Sequence, residues 1–287
     1  MLGLLLLLQV LASCLCPGHS EVVKSFQGPC TRFFYEKTPP SDGIRPVNAA
    51  RICQVYKNQY RFATLYDRTN RIPVYSAYIY QPGPGDRHDT WYIEPQLIQQ
   101  DYHKYMETED SIIHTYGITP ADIGKNQAIL QDYIDAQGLD RGHLSPCGHQ
   151  INEEYKNSTF TLTNIVPQYS KLNQGAWKHY EDTTMHQNTQ GCDTTYVITG
   201  VVPGEDKVPS QRVNIPSHIW SAACCVKGKK PIKAWGAIAE NKRNMNVVTN
   251  LKLGKLEEML TKLYKGTVVT LFKNDCPRQM EKAQEIF

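Results

Sequence analysis

Cys224 and Cys225 stand side by side in an apolar, β-rich run from Ile219 to Val226, and this pair constrains the fold more than any other feature. Side chains alternate faces along a strand, so the two sulfurs must point to opposite sides and meet different fates. The 287 residues hold nine cysteines. Cys14 and Cys16 lie at the N-terminus, just after an apolar run of Leu4 to Leu8 continued by Val10, Leu11 and Ala12; Gly18 and Ser20 then supply small residues before a cleavage point after Ser20. This reads as a secretory signal, because the run falls short of the roughly 20 apolar residues that span a bilayer. A membrane anchor is the alternative, since no Lys or Arg precedes the run. Removing residues 1–20 leaves Cys30, Cys53, Cys147, Cys192, Cys224, Cys225 and Cys276. In an oxidising compartment an odd number leaves at least one thiol unpaired, and the connectivity is not legible.

With 40% hydrophobic and 21% charged residues the chain is an ordinary globular sequence, which excludes a disordered, collagen-like or coiled-coil molecule. The net charge of +3 is too mild to argue for a nucleic-acid partner, because a basic stripe must be local to matter. No later segment approaches a membrane span, so the mature chain is expected to be soluble and extracellular. Asn157-Ser158-Thr159 is an N-glycosylation acceptor and suggests a surface loop.

No internal repeat or low-complexity linker divides the chain. Residues 21–50, broken by Pro39-Pro40 and Asp42-Gly43, are expected to drape over the surface. Strands are expected at 61–66 and 72–80 around the turn Asp67-Arg68-Thr69-Asn70, and helices at 94–106 and 127–134. A strand–turn region at 140–150 precedes a strand at 159–164 and a helix at 172–186. Further strands are expected at 195–202, 212–215, 219–226, 233–240 and 268–272, with an amphipathic helix at 251–264. Strands with scattered helices and no regular βαβ alternation indicate an α+β domain.

Chemistry concentrates between residues 140 and 181. Asp140-Arg141-Gly142-His143 places an imidazole two residues from a guanidinium. Asn164 follows in Thr163-Asn164-Ile165-Val166-Pro167-Gln168, Asn173 in Leu172-Asn173-Gln174-Gly175-Ala176-Trp177, and then Glu181. Phosphodiester cleavage needs an activated water, charge neutralisation at phosphorus and help for the departing oxygen. An imidazole is a base at neutral pH, and a magnesium ion needs only one or two protein ligands when phosphate supplies the rest. Asn173, Trp177 and Glu181 follow i, i+4, i+8 spacing, which puts Asn173 and Glu181 on one broad face about 12 Å apart along a helix. Asn173 as a helix cap is a competing reading. His143, Cys147 and His149 raise a zinc site as a weaker alternative, because no fourth ligand follows with finger spacing. Lys171, Lys178, His179 and Tyr180 interleave charge with aromatic surface, which suits a phosphate backbone or simply a solvated helix face.

These three segments, in this order and spacing, resemble the DNA/RNA non-specific endonucleases. Val197-Ile198-Thr199-Gly200 and Asn214-Ile215-Pro216 extend the likeness, which covers roughly residues 60–275. The resemblance implies a ββα-metal (His-Me finger) fold with a central, mainly antiparallel sheet flanked by helices, within a nuclease domain at 51–287. It implies His143 as general base, Asn173 as the ligand of one Mg²⁺ (Mn²⁺ being the substitute ion), and Arg141, Asn164 and Glu181 as assisting catalytic residues. Asp140 would form structural hydrogen bonds. The family often has another Asn four residues before Asn164; here that position is Phe160, which puts one auxiliary polar contact in doubt. The expected activity is sequence-non-specific hydrolysis of DNA, with RNA as a second substrate, leaving 5′-phosphates. Binding would run through phosphate contacts, with no membrane partner after signal cleavage. The competing class is a catalytically silent protein that keeps the fold and binds extracellular nucleic acid or polyanions.

Overall fold

The computed structural model describes residues 22–134 and 136–278. The expected signal, residues 1–20, lies outside them. Among the described residues the strands are β1 (Val22–Val23), β2 (Ala49–Tyr56), β3 (Gln59–Asp67), β4 (Ile72–Ile79), β5 (Leu139–His143), β6 (Ile165–Tyr169), β7 (Thr194–Val202), β8 (His218–Lys227), β9 (Lys230–Glu240) and β10 (Thr249–Leu251). Eight of them form one antiparallel sheet in the order β1-β2-β3-β4-β7-β8-β9-β10, while β5 and β6 pair separately as a two-stranded ribbon. The architecture is α+β.

Both faces of the sheet are covered, and β8 shows why its sequence is apolar throughout. Trp220, Ala222, Cys224 and Val226 face a core shared with Leu253, Leu256 and Leu260 of the helix Leu253–Leu263. Ala223 and Cys225 face the opposite side with Tyr180 and Met185, and Ile219 packs there with Ile165 and Trp177. The adjacent cysteines do meet different fates: Cys224 joins Cys276, and Cys225 joins Cys192. Among the described residues Cys30–Cys53 is the third bridge and Cys147 is free. Three disulfides fit an oxidising compartment. Among the described residues no helix is long and apolar enough to cross a membrane.

Several local expectations are corrected. Residues 22–44 do not drape over the surface; Phe26, Phe33, Phe34, Tyr35 and Ile44 are core, because Cys30–Cys53 ties this segment to β2. The stretches 94–106 and 127–134 yield only short 3-10 turns at Pro95–Leu97 and Leu130–Tyr133, because tertiary partners claim their backbone N–H groups: Glu94 donates to Gln127, Ala128 to Tyr66 and Leu130 to Glu109. The helix of this region is α1 (Glu109–Tyr116), started by the Thr108 hydroxyl accepting from the Ser111 N–H and ended by Gly117 at φ 63°. Residues 159–164 are a buried turn just ahead of β6, because Thr161 and Thr163 spend their hydroxyls on Glu94. Residues 212–215 contribute one isolated bridge. Residues 268–272 run without a ladder partner, held by Ser41 and Glu257 instead. Asn157 is not on a surface loop: it is buried in the helix Glu153–Ser158 and accepts from the His88 N–H.

Candidate active site

The ribbon β5–β6 is followed at once by a helical segment, 170–188, giving a ββα arrangement against the sheet. Register sets Asp140 opposite Gln168 and His143 opposite Ile165. Gly142 is required by this pairing, because a Cβ there would lie 2.2 Å from Gln168 Oε1 and 2.7 Å from its Cβ. Two of the three motif segments are thus matched to each other by shape.

Asn164 is the pin under the ribbon. Its carbonyl accepts from the Ser76 hydroxyl at 2.8 Å and the Ser145 N–H at 2.9 Å, and its amide donates to the Ser145 and Thr159 carbonyls at 3.0 Å each. These bonds take up its hydrogen-bonding capacity, and it is fully buried. Ser76 belongs to a row of hydroxyls in register across the sheet, Thr64, Ser76, Thr199 and Ser221. This row, together with Gln54 and Thr163, forms a polar floor below the ribbon. Asn164 therefore has the geometry of a positioning residue that does not itself reach a ligand.

Asp140 bonds forward into the helical segment rather than only within its strand. One carboxylate oxygen accepts from Ser170 at 2.7 Å, the other from Asn173 Nδ2 at 2.8 Å and Gln174 Nε2 at 2.9 Å. With its amide nitrogen committed, Asn173 keeps Oδ1 without a hydrogen-bond partner among the described residues. Asn173 is not a cap: the helical segment starts at Ser170, and Asn173 has φ −59° and ψ −48°. A neutral oxygen fixed by a carboxylate behind it is the donor type a hard divalent cation accepts.

His143 packs against two aromatic rings, Trp91 at 5.7 Å and Phe160 edge-on at 4.9 Å. Its Nε2 is shut from solvent and makes no hydrogen bond. Burial lowers its pKa to about 4, with the nearby Arg87 acting in the same direction and the Arg141 backbone and Asp89 opposing. The Phe160 departure thus replaces a polar neighbour of the imidazole by an apolar wall. Arg141 lies over Trp91 at 4.9 Å and near Tyr133 at 5.9 Å, with its Nε buried and unpartnered. Arg141 Nε and His143 Nε2, two residues apart on β5, are thus both buried without a hydrogen-bond partner among the described residues.

Glu181 accepts from Trp177 Nε1 at 2.9 Å, which realises the i, i+4 relation, and burial raises its pKa to about 8. His149 is spoken for. Its Nε2 donates to the Glu181 carbonyl at 3.0 Å, so its Nδ1 accepts from Tyr78 Oη at 2.9 Å. Among the described residues no group of three or more His, Cys, Asp or Glu could hold a metal, so the zinc alternative has no ligand set. Sequence reasoning missed Trp91, Arg87, Tyr78 and Asn241; lone residues in loops carry no period or spacing to mark them.

The sequence model of the DNA/RNA non-specific endonucleases matches residues 39–274. The chain belongs to this family. The human endonuclease domain-containing 1 protein is 30% identical over 255 residues, covering 87% of this chain and 48% of that protein. Human mitochondrial endonuclease G is 29% identical over 130 residues, 43% of this chain and 40% of that protein. This family member therefore spans about half the length of the curated relatives it matches. A solved structure of the EndoG/EndoGI complex contains a chain 16% identical, with a TM-score of 0.48 over 74% of this chain and 84% of that one.

Proposed function

We propose that the chain is a metal-dependent endonuclease that hydrolyses phosphodiester bonds of DNA, and of RNA, without reading sequence. The observation that carries this reading is the tether from Asp140 to Asn173. It links the helical segment to the strand that ends in His143, three residues on, or roughly 10 Å along an extended strand. His143 Nε2 and Asn173 Oδ1 each stand without a hydrogen-bond partner among the described residues, which leaves a base and a ligand atom available on the two arms of the ββα unit.

Asn173 would hold a single Mg²⁺ through Oδ1, and Glu181 would orient water beside it. The ion would supply neutralisation of phosphate charge and stabilise the departing 3′ oxygen. His143 is neutral at pH 7, so its Nε2 takes the proton as water oxygen attacks phosphorus. The P–O3′ bond breaks, the departing 3′ oxygen takes a proton from solvent water, His143 returns its own proton to solvent, and the products carry a 3′-hydroxyl and a 5′-phosphate. Arg141 donates to a non-bridging phosphate oxygen. Asp140 and Asn164 act by holding the others in place. The N-terminal apolar run and the three disulfides support secretion.

The test is incubation of the purified mature chain with supercoiled plasmid, with Mg²⁺ and with EDTA. Nicking that requires the ion and disappears in His143→Ala is expected. A wild-type chain that leaves plasmid supercoiled at all Mg²⁺ concentrations, or a His143→Ala chain that nicks as wild type does, overturns the proposal.

A further inference from the structure

The turn Asn173–Trp177 is wound as a π-helix, and inside it Gly175 leaves the helical region at φ −104° and ψ −112°. A second π turn, Tyr180–Thr184, follows. Such turns are rare and disrupt the regular ladder of helical hydrogen bonds, so an isolated segment would not select them. Here the N–H of Ala176, next to the kink, is bonded by Asn246 Oδ1 at 2.6 Å, from 70 residues away.

Asn246 sits in the exposed loop 241–248, which is pinned at its other end as well. Asn241 Oδ1 accepts from the Tyr169 N–H at 2.9 Å, and its amide donates to the Pro167 and Pro216 carbonyls at 3.0 and 2.9 Å. The loop therefore makes contact just before the helical segment begins and again just after Asn173. Gly175 completes the fit: a Cβ there would stand 2.3 Å from Asn246 Oδ1. Glycine within the Leu172–Trp177 motif thus makes room for the side chain of Asn246.

We propose that Asn246 is a positioning residue for the metal site. Its acceptor holds the kinked turn in the form in which Asp140 takes the Asn173 amide and Oδ1 is left for a divalent ion. The inference rests on the reading of Asn173 as the ligand. Groups bonded directly to a metal ligand change affinity by about 10- to 100-fold in other sites, and Asn246, acting one step further out through the backbone of the turn, belongs at the lower end of that range.

Binding of Mn²⁺ to the mature chain, without nucleic acid, is followed by loss of the free-ion electron paramagnetic resonance signal. Asn246→Ala should weaken binding about 10-fold, whereas Asn246→Asp, which keeps the acceptor, should stay within about twofold of wild type. Asn244→Asp places the same charge on the same loop and should leave binding unchanged. Thermal melts of all variants should overlay, because Asn246 is exposed. If Asn173→Ala binds Mn²⁺ as wild type does, the ligand reading falls. If Asn173→Ala loses binding but Asn246→Ala titrates like wild type, the positioning role falls. Equal tightening by Asn244→Asp and Asn246→Asp would show charge at work and overturn it too.

Discussion

Trp91→Ala should move the acid limb of nicking toward neutral pH. The ring of Trp91 is one of two that wall off His143, the other being Phe160, and burial is the main reason the imidazole titrates near 4. The ordinary value is about 6.5, so the whole collar and its charges account for roughly 2.5 pH units. Trp91 is only half-buried, so its loss admits water without emptying the core. Opening one wall of two should return about 1 unit, or about 1.4 kcal/mol. The direction follows from the active form. Neutral imidazole is the base, a raised pKa protonates it sooner as pH falls, and the limb shifts upward. At pH 5 the neutral fraction should drop from roughly 90% to roughly 50%. The assay is kcat/KM for plasmid nicking from pH 4 to 8 at fixed Mg²⁺, beside Trp91→Phe, which keeps an aromatic wall. Arg87 and Asp89 act on the same imidazole through their charges, the Arg141 backbone through a hydrogen bond, and all three residues are kept in both variants. Trp91→Ala also removes the surface under the Arg141 guanidinium, which lowers the plateau at every pH but does not move the limb. An acid limb that stays in place while the plateau falls would refute the claim that desolvation sets this titration.

Asn164→Ala should cost about 4 kcal/mol in urea unfolding, because it strands buried partners on Ser76, Ser145 and Thr159; a loss under about 1 kcal/mol would show that water replaces the side chain. Joint Cys224→Ser and Cys276→Ser substitution opens a loop of 52 residues and should remove about 4 kcal/mol, seen as a fall in Tm of about 10 °C by calorimetry. An unchanged Tm would mean that the helix Leu253–Leu263 holds its place on the sheet without this bridge. Nicking should decline steeply as salt rises from about 50 to 200 mM, and a flat profile would argue against binding through phosphate contacts.

The ribbon-and-helix order of the site was legible because each motif segment carries its own local physics. Asn173 and Glu181 show a helical spacing, and Cys224-Cys225 sends two sulfurs to opposite faces of a strand. The helices expected at 94–106 and 127–134 are only 3-10 turns because distant partners such as Tyr66 and Glu109 take the backbone N–H groups, and apolar spacing does not encode that. Residues 22–44 were misread because breakers mark irregular backbone but do not say whether its side chains are buried.

What the sequence by itself determined is the set of reactive groups and their order along β5 and the helical segment, since those follow from residue type and short-range geometry. Only the tertiary structure decided their state. Phe160 and Trp91 close around His143, Asp140 fixes the amide of Asn173, and Asn164 turns inward to Ser76. Desolvation and hydrogen-bond choice depend on which distant residues arrive beside a group, and no local spacing encodes that arrival.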